Sequence, residues 1–316
     1  MKYAAKRIAM LLVTMIIVSL LAFVAFDLIS GDAASAMLGT EATPEKIAAL
    51  REELGLNRPL LVRYGEWLLG FFTGNLGISY NYNQPVWDLI APKVGVTLLL
   101  SAISFLLIVA VSIPLGLRTA RRSGGPLDAL GTTLNQLCMA VPPFFTGVLL
   151  SWVFSTMLRW FVPGDFPGLT ENFGAALKHL FFAAVAIALP RIAMTTRMLR
   201  STIRGELRKS YVRTAISRGN DRGAVLRRHV LKNSLVPVVT FLAQTMAEIV
   251  AGGIVVEQVF GIAGLGRMLV ASISNRDYPV VQAIVVILAF WVVLAGTLAD
   301  LINARIDSRL QLGGDA

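Results

Sequence analysis

The sequence predicts an all-α integral membrane protein built on six transmembrane helices, and three observations lead there. Only 15% of the 316 residues are charged while 55% are apolar, with a mean hydropathy of +0.68; a soluble chain carries about 25% charged residues. Uncharged runs at 8–26, 94–117, 129–158 and 278–299 approach or exceed the roughly 20 residues that a spanning helix needs. Two further runs, near 178–198 and 234–256, are interrupted inside by Arg191 and by Glu248, the first also carrying Lys178 and Arg197 at its two ends. None of them shows the period-two alternation of barrel strands. Such a composition excludes a soluble cytoplasmic enzyme, a disordered tail and a collagen-like rod. The single cysteine, Cys138, has no intrachain disulfide partner, and His179 and His229 lie too far apart for a zinc-binding helix, so no metal site is expected.

The first span follows Lys2, Lys6 and Arg7 and precedes the small residues Ala33, Ala34, Ser35 and Ala36, a pattern that a cleaved signal peptide also shows. Its 19-residue apolar core exceeds the ~7–15 of a signal peptide, so 1–30 reads as a retained first span with its N-terminal lead. Residues 31–93 form an outer segment with helical patterning of its own. Thr43 can cap a helix with Pro44 in its first turn, Ile47, Leu50 and Leu54 share a face, and Gly55 can end it. Leu60, Leu61, Tyr64, Leu68 and Phe71 then form an apolar stripe, with Trp67 nearby. Two readings stay open: amphipathic helices lying on the outer membrane boundary, or a platform for an extracytoplasmic partner. Residues 94–304 hold the other five spans, and 305–316 form a tail.

Positive residues stay on the cytoplasmic side. The N-terminus, the second-to-third connection (Arg118, Arg121, Arg122), the fourth-to-fifth connection and the C-terminus (Arg305, Arg309) together carry 19 Lys or Arg, against nine spread over the other side. Both termini are therefore expected in the cytoplasm.

The stretch 197–232 holds eleven Lys or Arg against Glu206 and Asp221, so it carries nine of the ten net positive charges. Helix–helix connections in bundles usually run about two to eight residues, so this one is long. Leu199, Ile203, Leu207, Tyr211 and Ala215 recur every fourth residue, and Leu226, Val230 and Leu231 follow, which reads as two helices broken at Gly219 and Asn220. It could be a basic loop that fixes topology and meets anionic headgroups. Nucleic-acid binding is not expected, because Tyr211 is its one aromatic residue and supplies no stacking platform. The sharper reading is a stiff docking element through which a soluble partner moves the spans.

These residues also carry a resemblance. Tyr211 to Gly219 (YVRTAISRG), nine residues, then His229 to Pro237 (HVLKNSLVP) resembles the "EAA" loop of ABC-importer permease subunits, in which E-A-A, three residues, Gly and about nine residues lead to I-x-L-P. Arg213, Thr214 and Ala215 stand for E-A-A, and the closing residues are His229 to Lys232; the departures at the Glu and the Pro are similar to the dipeptide/oligopeptide/nickel branch. Residues 44–60, 74–79, 256–266 and 276–282 also resemble that branch, in order and at matching spacing. The resemblance implies a type I ABC importer permease fold with an ATPase-coupling loop at 199–233. Its residues would be Tyr211, Arg213, Thr214, Ala215, Arg218, Gly219, Arg227 and His229, with His229 making a structural hydrogen bond. The implied partners are two cytoplasmic ABC ATPase subunits that bind ATP and Mg, a second homologous permease subunit, an extracytoplasmic substrate-binding protein and the lipid bilayer. This chain has no G-x-x-x-x-G-K-[ST] loop, since the glycine-rich stretch at 261–266 lacks the Lys and reads as a tight turn, so it is expected to be non-catalytic and to bind no cofactor itself.

Arg191 and Glu248 are candidates for the translocation path, because ionisable groups at bilayer depth cost about 2.5 kcal/mol or more unless they pair or meet water. Otherwise Arg191 snorkels and Glu248 meets a partner on the other subunit. Pro142, with Pro143, and the Gly252–Gly253 pair are candidate hinges or plain packing irregularities. Cys138 and Met139 read as packing, and His179 as an interfacial anchor rather than a ligand. The expected substrate is a di- or oligopeptide, with nickel chelates, glutathione-like molecules and glycosides as alternatives within the branch. A different class, an ion-coupled secondary transporter, would need intramembrane acids at broken helices and often repeated halves; only Glu248 supports it. A membrane-embedded enzyme would need a catalytic constellation that the sequence lacks.

Overall fold

The computed structural model describes residues 2–29, 33–38, 42–53, 55–121 and 124–306. Arg122, Leu54, the start of the outer segment at 31, and the tail beyond 306 with Arg309 lie outside the described residues. The regular elements among the described residues are helices: α1 (Lys2–Ile29), α2 (Ala33–Leu38), α3 (Pro44–Glu53), α4 (Leu60–Thr73), α5 (Val86–Arg121), α6 (Pro126–Ala140), α7 (Pro143–Ser151), α8 (Phe173–Leu207), α9 (Ser210–Ser217), α10 (Arg222–Val225), α11 (Leu231–Phe260), α12 (Leu265–Ser274) and α13 (Tyr278–Ile306). Two compact units emerge. Among the described residues, one comprises those of 98–262 with 2–7 and 294–306, the other those of 8–97 with 263–293.

Among the described residues, five helices are long and apolar enough to cross a membrane alone. The run expected as one span at 129–158 is instead two helices, α6 and α7, meeting at 97°. Pro142 and Pro143 cause the break, since neither can donate to the preceding turn and Val141 is driven to an extended backbone before them. The bent pair still crosses. At one end Arg200 of α8 donates to Asp128 at 2.7 Å and to Thr132 at 3.0 Å. Beyond α7 and the π-helical turn Trp152–Met157, the ring of Phe161 lies 4.7 Å from that of His179, near the other end of α8. His179 and Arg200 are separated by roughly 31 Å of helix rise, about the thickness of a bilayer core. That completes six spans.

Within the first unit α8 is the central helix, with α6, α7 and α11 packed on it. Leu199 is fully buried against Gly116 of α5, where a Cβ would come within 2.8 Å of its Cδ2. Gly147 of α7 leaves room for Phe260. Asn135 of α6 donates to the carbonyl of Ala193 at 3.0 Å.

In the second unit Thr43 caps α3 as expected, accepting from Lys46 at 3.4 Å, and Gly55 ends it with φ +63°. On α4, Tyr64 is buried and bonds to Ser19 of α1 at 2.8 Å, with Phe23, Trp67 and Phe71 in ring contact along the same side. Leu61 departs from the expected stripe and is 72% exposed. α5 already begins at Val86, so its first turns fall within the outer segment expected at 31–93.

Candidate functional site

The basic connection differs from the expected pair of helices. Residues 199–207 simply continue α8, and 222–230 lead through a π-helical turn (Leu226–Val230) into α11, leaving 208–221 as an elbow around the short helix α9. The four-residue apolar spacing explains the extra break. Each such step rotates about 40° around a helix, so from Leu199 to Ala215 the stripe walks about 160° off any single face. The chain turns at Arg208 and Lys209, where Lys209 is extended and its N–H still reaches the carbonyl of Glu206 at 3.1 Å. The Glu206 carboxylate pins the turn, accepting from the Lys209 ammonium and from the Tyr211 hydroxyl at 2.8 Å. Burial pushes the Tyr211 phenol above its usual value against the contrary pull of Asn233, so it remains a donor at neutral pH.

α9 is anchored by Val212, only 2% exposed. Its end is a Schellman motif: the amide of Gly219 (φ +81°) donates to Ile216 and that of Asn220 to Ala215. Asp221 then caps α10 through the amide of Ala224 at 3.0 Å. Tyr211 and Ala215 are half-buried, whereas Arg213, Thr214, Arg218 and Gly219 are exposed. The π turn buries Leu226 and Val230 and displays Arg227, Arg228 and His229 together. His229 is exposed and makes no side-chain hydrogen bond among the described residues, contrary to the structural bond expected of it.

Arg191 of α8 and Glu248 of α11 are brought together as a salt bridge between Nη1 and Oε2. The carboxylate partner of Arg191 thus lies in this chain. Pro143 lies 3.8 Å from where a Cβ on Gly252 would stand, one turn beyond Glu248, and Gly253 faces Ile187. His179 is buried, its Nε2 hydrogen-bonded to the Phe260 carbonyl at 3.0 Å among Phe161, Phe166 and Phe260, so it is a packed helix tie rather than an interfacial anchor. Among the described residues no cluster of three or more His, Cys, Asp and Glu could hold a metal.

Sequence reasoning missed two polar ties. Asp128 joins α6 to Arg200 and also accepts from the amide of Gly124 at 3.0 Å; its signal was an isolated acid opening an apolar run beside a basic connection. In the second unit Asp277, fully buried, accepts from the Ser79 hydroxyl and from the amides of Tyr80 at 3.1 Å and Asn81 at 3.5 Å. The segments 74–79 and 276–282, singled out separately in the sequence, are the two sides of this latch.

Residues 112–312 match the family model described as the binding-protein-dependent transport system inner membrane component, and residues 1–102 match the N-terminal model of the same systems. The chain belongs to that family. The permease is 33% identical over 309 residues to a probable peptide ABC transporter permease of Sinorhizobium fredii, covering 98% of this chain and 99% of the relative. It is 33% identical over 312 residues to an oligopeptide transport system permease of Bacillus subtilis, covering 98% and 99% of the two chains. A dipeptide transport system permease of Alkalihalophilus pseudofirmus is 30% identical over 329 residues, again covering 98% and 99%. The permease is accordingly a multi-pass inner membrane component of a binding-protein-dependent system, non-catalytic itself, with a binding protein and ATPase subunits as partners. That membership sets aside the ion-coupled secondary transporter and the membrane-embedded enzyme.

Proposed function

We propose that this permease forms one half of the path of an ATP-driven importer for di- or oligopeptides and that α9 is the handle by which an ATPase subunit moves it. The carrying observation is the elbow itself, a short helix with exposed Arg213 and Thr214 and with exposed Arg218 at its C-cap, fixed at both ends between two long helices. A rigid element of this kind transmits displacement, where a floppy loop absorbs it. ATP and Mg act on the ATPase pair, whose closure levers α8 and α11. The third span's break at Pro142 and the Gly252–Gly253 face of α11 are the positions at which the bundle can repack, and Arg191 with Glu248 line the path.

Both termini face the cytoplasm in this reading. Positive charge favours that orientation, and Arg7 near the start of α1 pairs with Asp300 near the end of α13 at 2.8 Å, which supports termini on one side. A second homologous permease completes the path, and the binding protein delivers substrate at the outer face. Peptide is favoured over nickel chelates, glutathione-like molecules and glycosides because several full-length relatives are named for peptide transport.

Reconstituting the permease with its second permease, ATPases and binding protein in liposomes tests this. Replacing 210–219 by a Gly/Ser tether is expected to abolish ATP-dependent tripeptide uptake while the spans remain inserted, and reversing charge at Arg213 and Arg218 to reduce ATPase recovery in a pull-down. Full uptake through the tethered variant would overturn the coupling reading. Uptake of a nickel chelate or glycoside in place of any peptide would overturn the substrate.

A further inference from the structure

We propose that Arg191 and Glu248 are an exchangeable ion pair that binds the two ends of a zwitterionic substrate, the guanidinium taking its carboxylate and the carboxylate its ammonium. This rests on the peptide reading above and goes beyond it by assigning each charge of the substrate to an atom group in the permease.

The two charges that interrupt the fourth and fifth spans are the two partners of one salt bridge. The pair is only half enclosed, for the Arg191 side chain is 20% exposed and that of Glu248 is 43% exposed. An ion pair at such depth contributes little net stability against apolar residues of the same size, but removing one partner leaves a charge that costs about 2.5 kcal/mol or more in a membrane interior. The site therefore strongly favours any guest that keeps both charges matched. A free peptide does so, because its two ends replace one internal pair by two external ones with no change in net charge. A peptide capped at either end satisfies only one of the two groups. Guanidinium is the right cation for the carboxylate end, since its planar fork matches carboxylate geometry bidentately.

The surroundings tie occupancy to movement. Gly252 lies one turn beyond Glu248 on the same face of α11 and meets Pro143, the first residue of α7 after the break. Two residues beyond Arg191, the Ala193 carbonyl takes the Asn135 amide from α6. Near neighbours of the pair on α8 and α11 thus touch α6 and the first residue of α7, so separating Arg191 from Glu248 would shift helices that pack on both arms of the bent third span.

The test uses the complete complex in liposomes with tri-alanine as the probe, comparing wild type, Glu248→Gln and the exchanged double variant Arg191→Glu with Glu248→Arg. Complex recovery and thermal unfolding are measured beside uptake. Glu248→Gln leaves Arg191 uncompensated and is expected to lower complex recovery; tri-alanine uptake per recovered complex is expected to fall about a further tenfold, the loss of one charge-assisted contact. The double variant restores an internal pair but presents each charge to the wrong helix, so its recovery is expected to match wild type while its uptake stays low. Recovery of both assembly and uptake by the exchange would mark the pair as structural and overturn the proposal, as would unchanged uptake by Glu248→Gln. Absence of tri-alanine uptake by wild type, with another solute transported, overturns the peptide reading on which this rests and is distinguishable from either result.

Discussion

Gly219 and Gly261 end two helices with the same backbone motif and in opposite surroundings. Each occupies the left-handed position of a Schellman turn, at φ +81° and +66° respectively. A Cβ added at Gly219 would meet nothing within 4 Å, whereas one added at Gly261 would fall 2.3 Å from the Cα of Gly164. The amide of Gly164 donates to the Phe260 carbonyl at 3.2 Å, and His179 binds the same carbonyl. One end of α11 is thus locked by backbone on backbone, and the elbow at the other side of the same unit is held by its own local bonds and left open. A helix end without neighbours is free to be gripped by another molecule. One sealed by its own chain can serve as a fixed point against which that grip works.

Substitutions break this comparison in a graded way. Gly261→Ala combines a left-handed conformation with a backbone collision, and is expected to cost about 3 kcal/mol or more, seen as loss of folded permease on detergent extraction. Asp277→Ala tests a second sealed point in its own unit. It strips the buried Ser79 hydroxyl and Tyr80 amide of their acceptor, at about 2–3 kcal/mol, and should raise hydrogen exchange at residues 79–82 in particular. Gly219→Ala meets open space, so only the left-handed backbone cost of about 1 kcal/mol applies. Uptake should fall as α9 frays while the unfolding temperature of the spans stays at its wild-type value. Tyr211→Phe removes one bond to Glu206, worth about 1 kcal/mol, and is expected to lower ATPase recovery only slightly. Equal damage from Gly219→Ala and Gly261→Ala would erase the contrast.

Several of these features were legible beforehand. The caps of α3 at Thr43 and Gly55, the break at Gly219 and the interruption at Pro142–Pro143 all follow from residues acting on their immediate neighbours. Other features depended on where helices come to rest. The break at Arg208–Lys209 has no Gly or Pro to mark it; Glu206, Lys209 and Tyr211 make it only by meeting one another. His179 looked like a lone interfacial histidine because Phe260, its partner, lies 81 residues away. His229 looked like part of a bonded motif, yet the π turn shifts the register and leaves it exposed.

By itself the sequence determined the six apolar runs, the basic bias of one side and the Gly219 end of the elbow, because hydropathy, charge and turn chemistry act over one helix or less. Only the tertiary structure decided that α6 and α7 climb the length of α8 as one bent span, that Arg191 meets Glu248, and that Asp277 closes on Ser79. Each of those depends on a contact between segments far apart in the chain, and such contacts are chosen by how the helices pack, which no local pattern encodes.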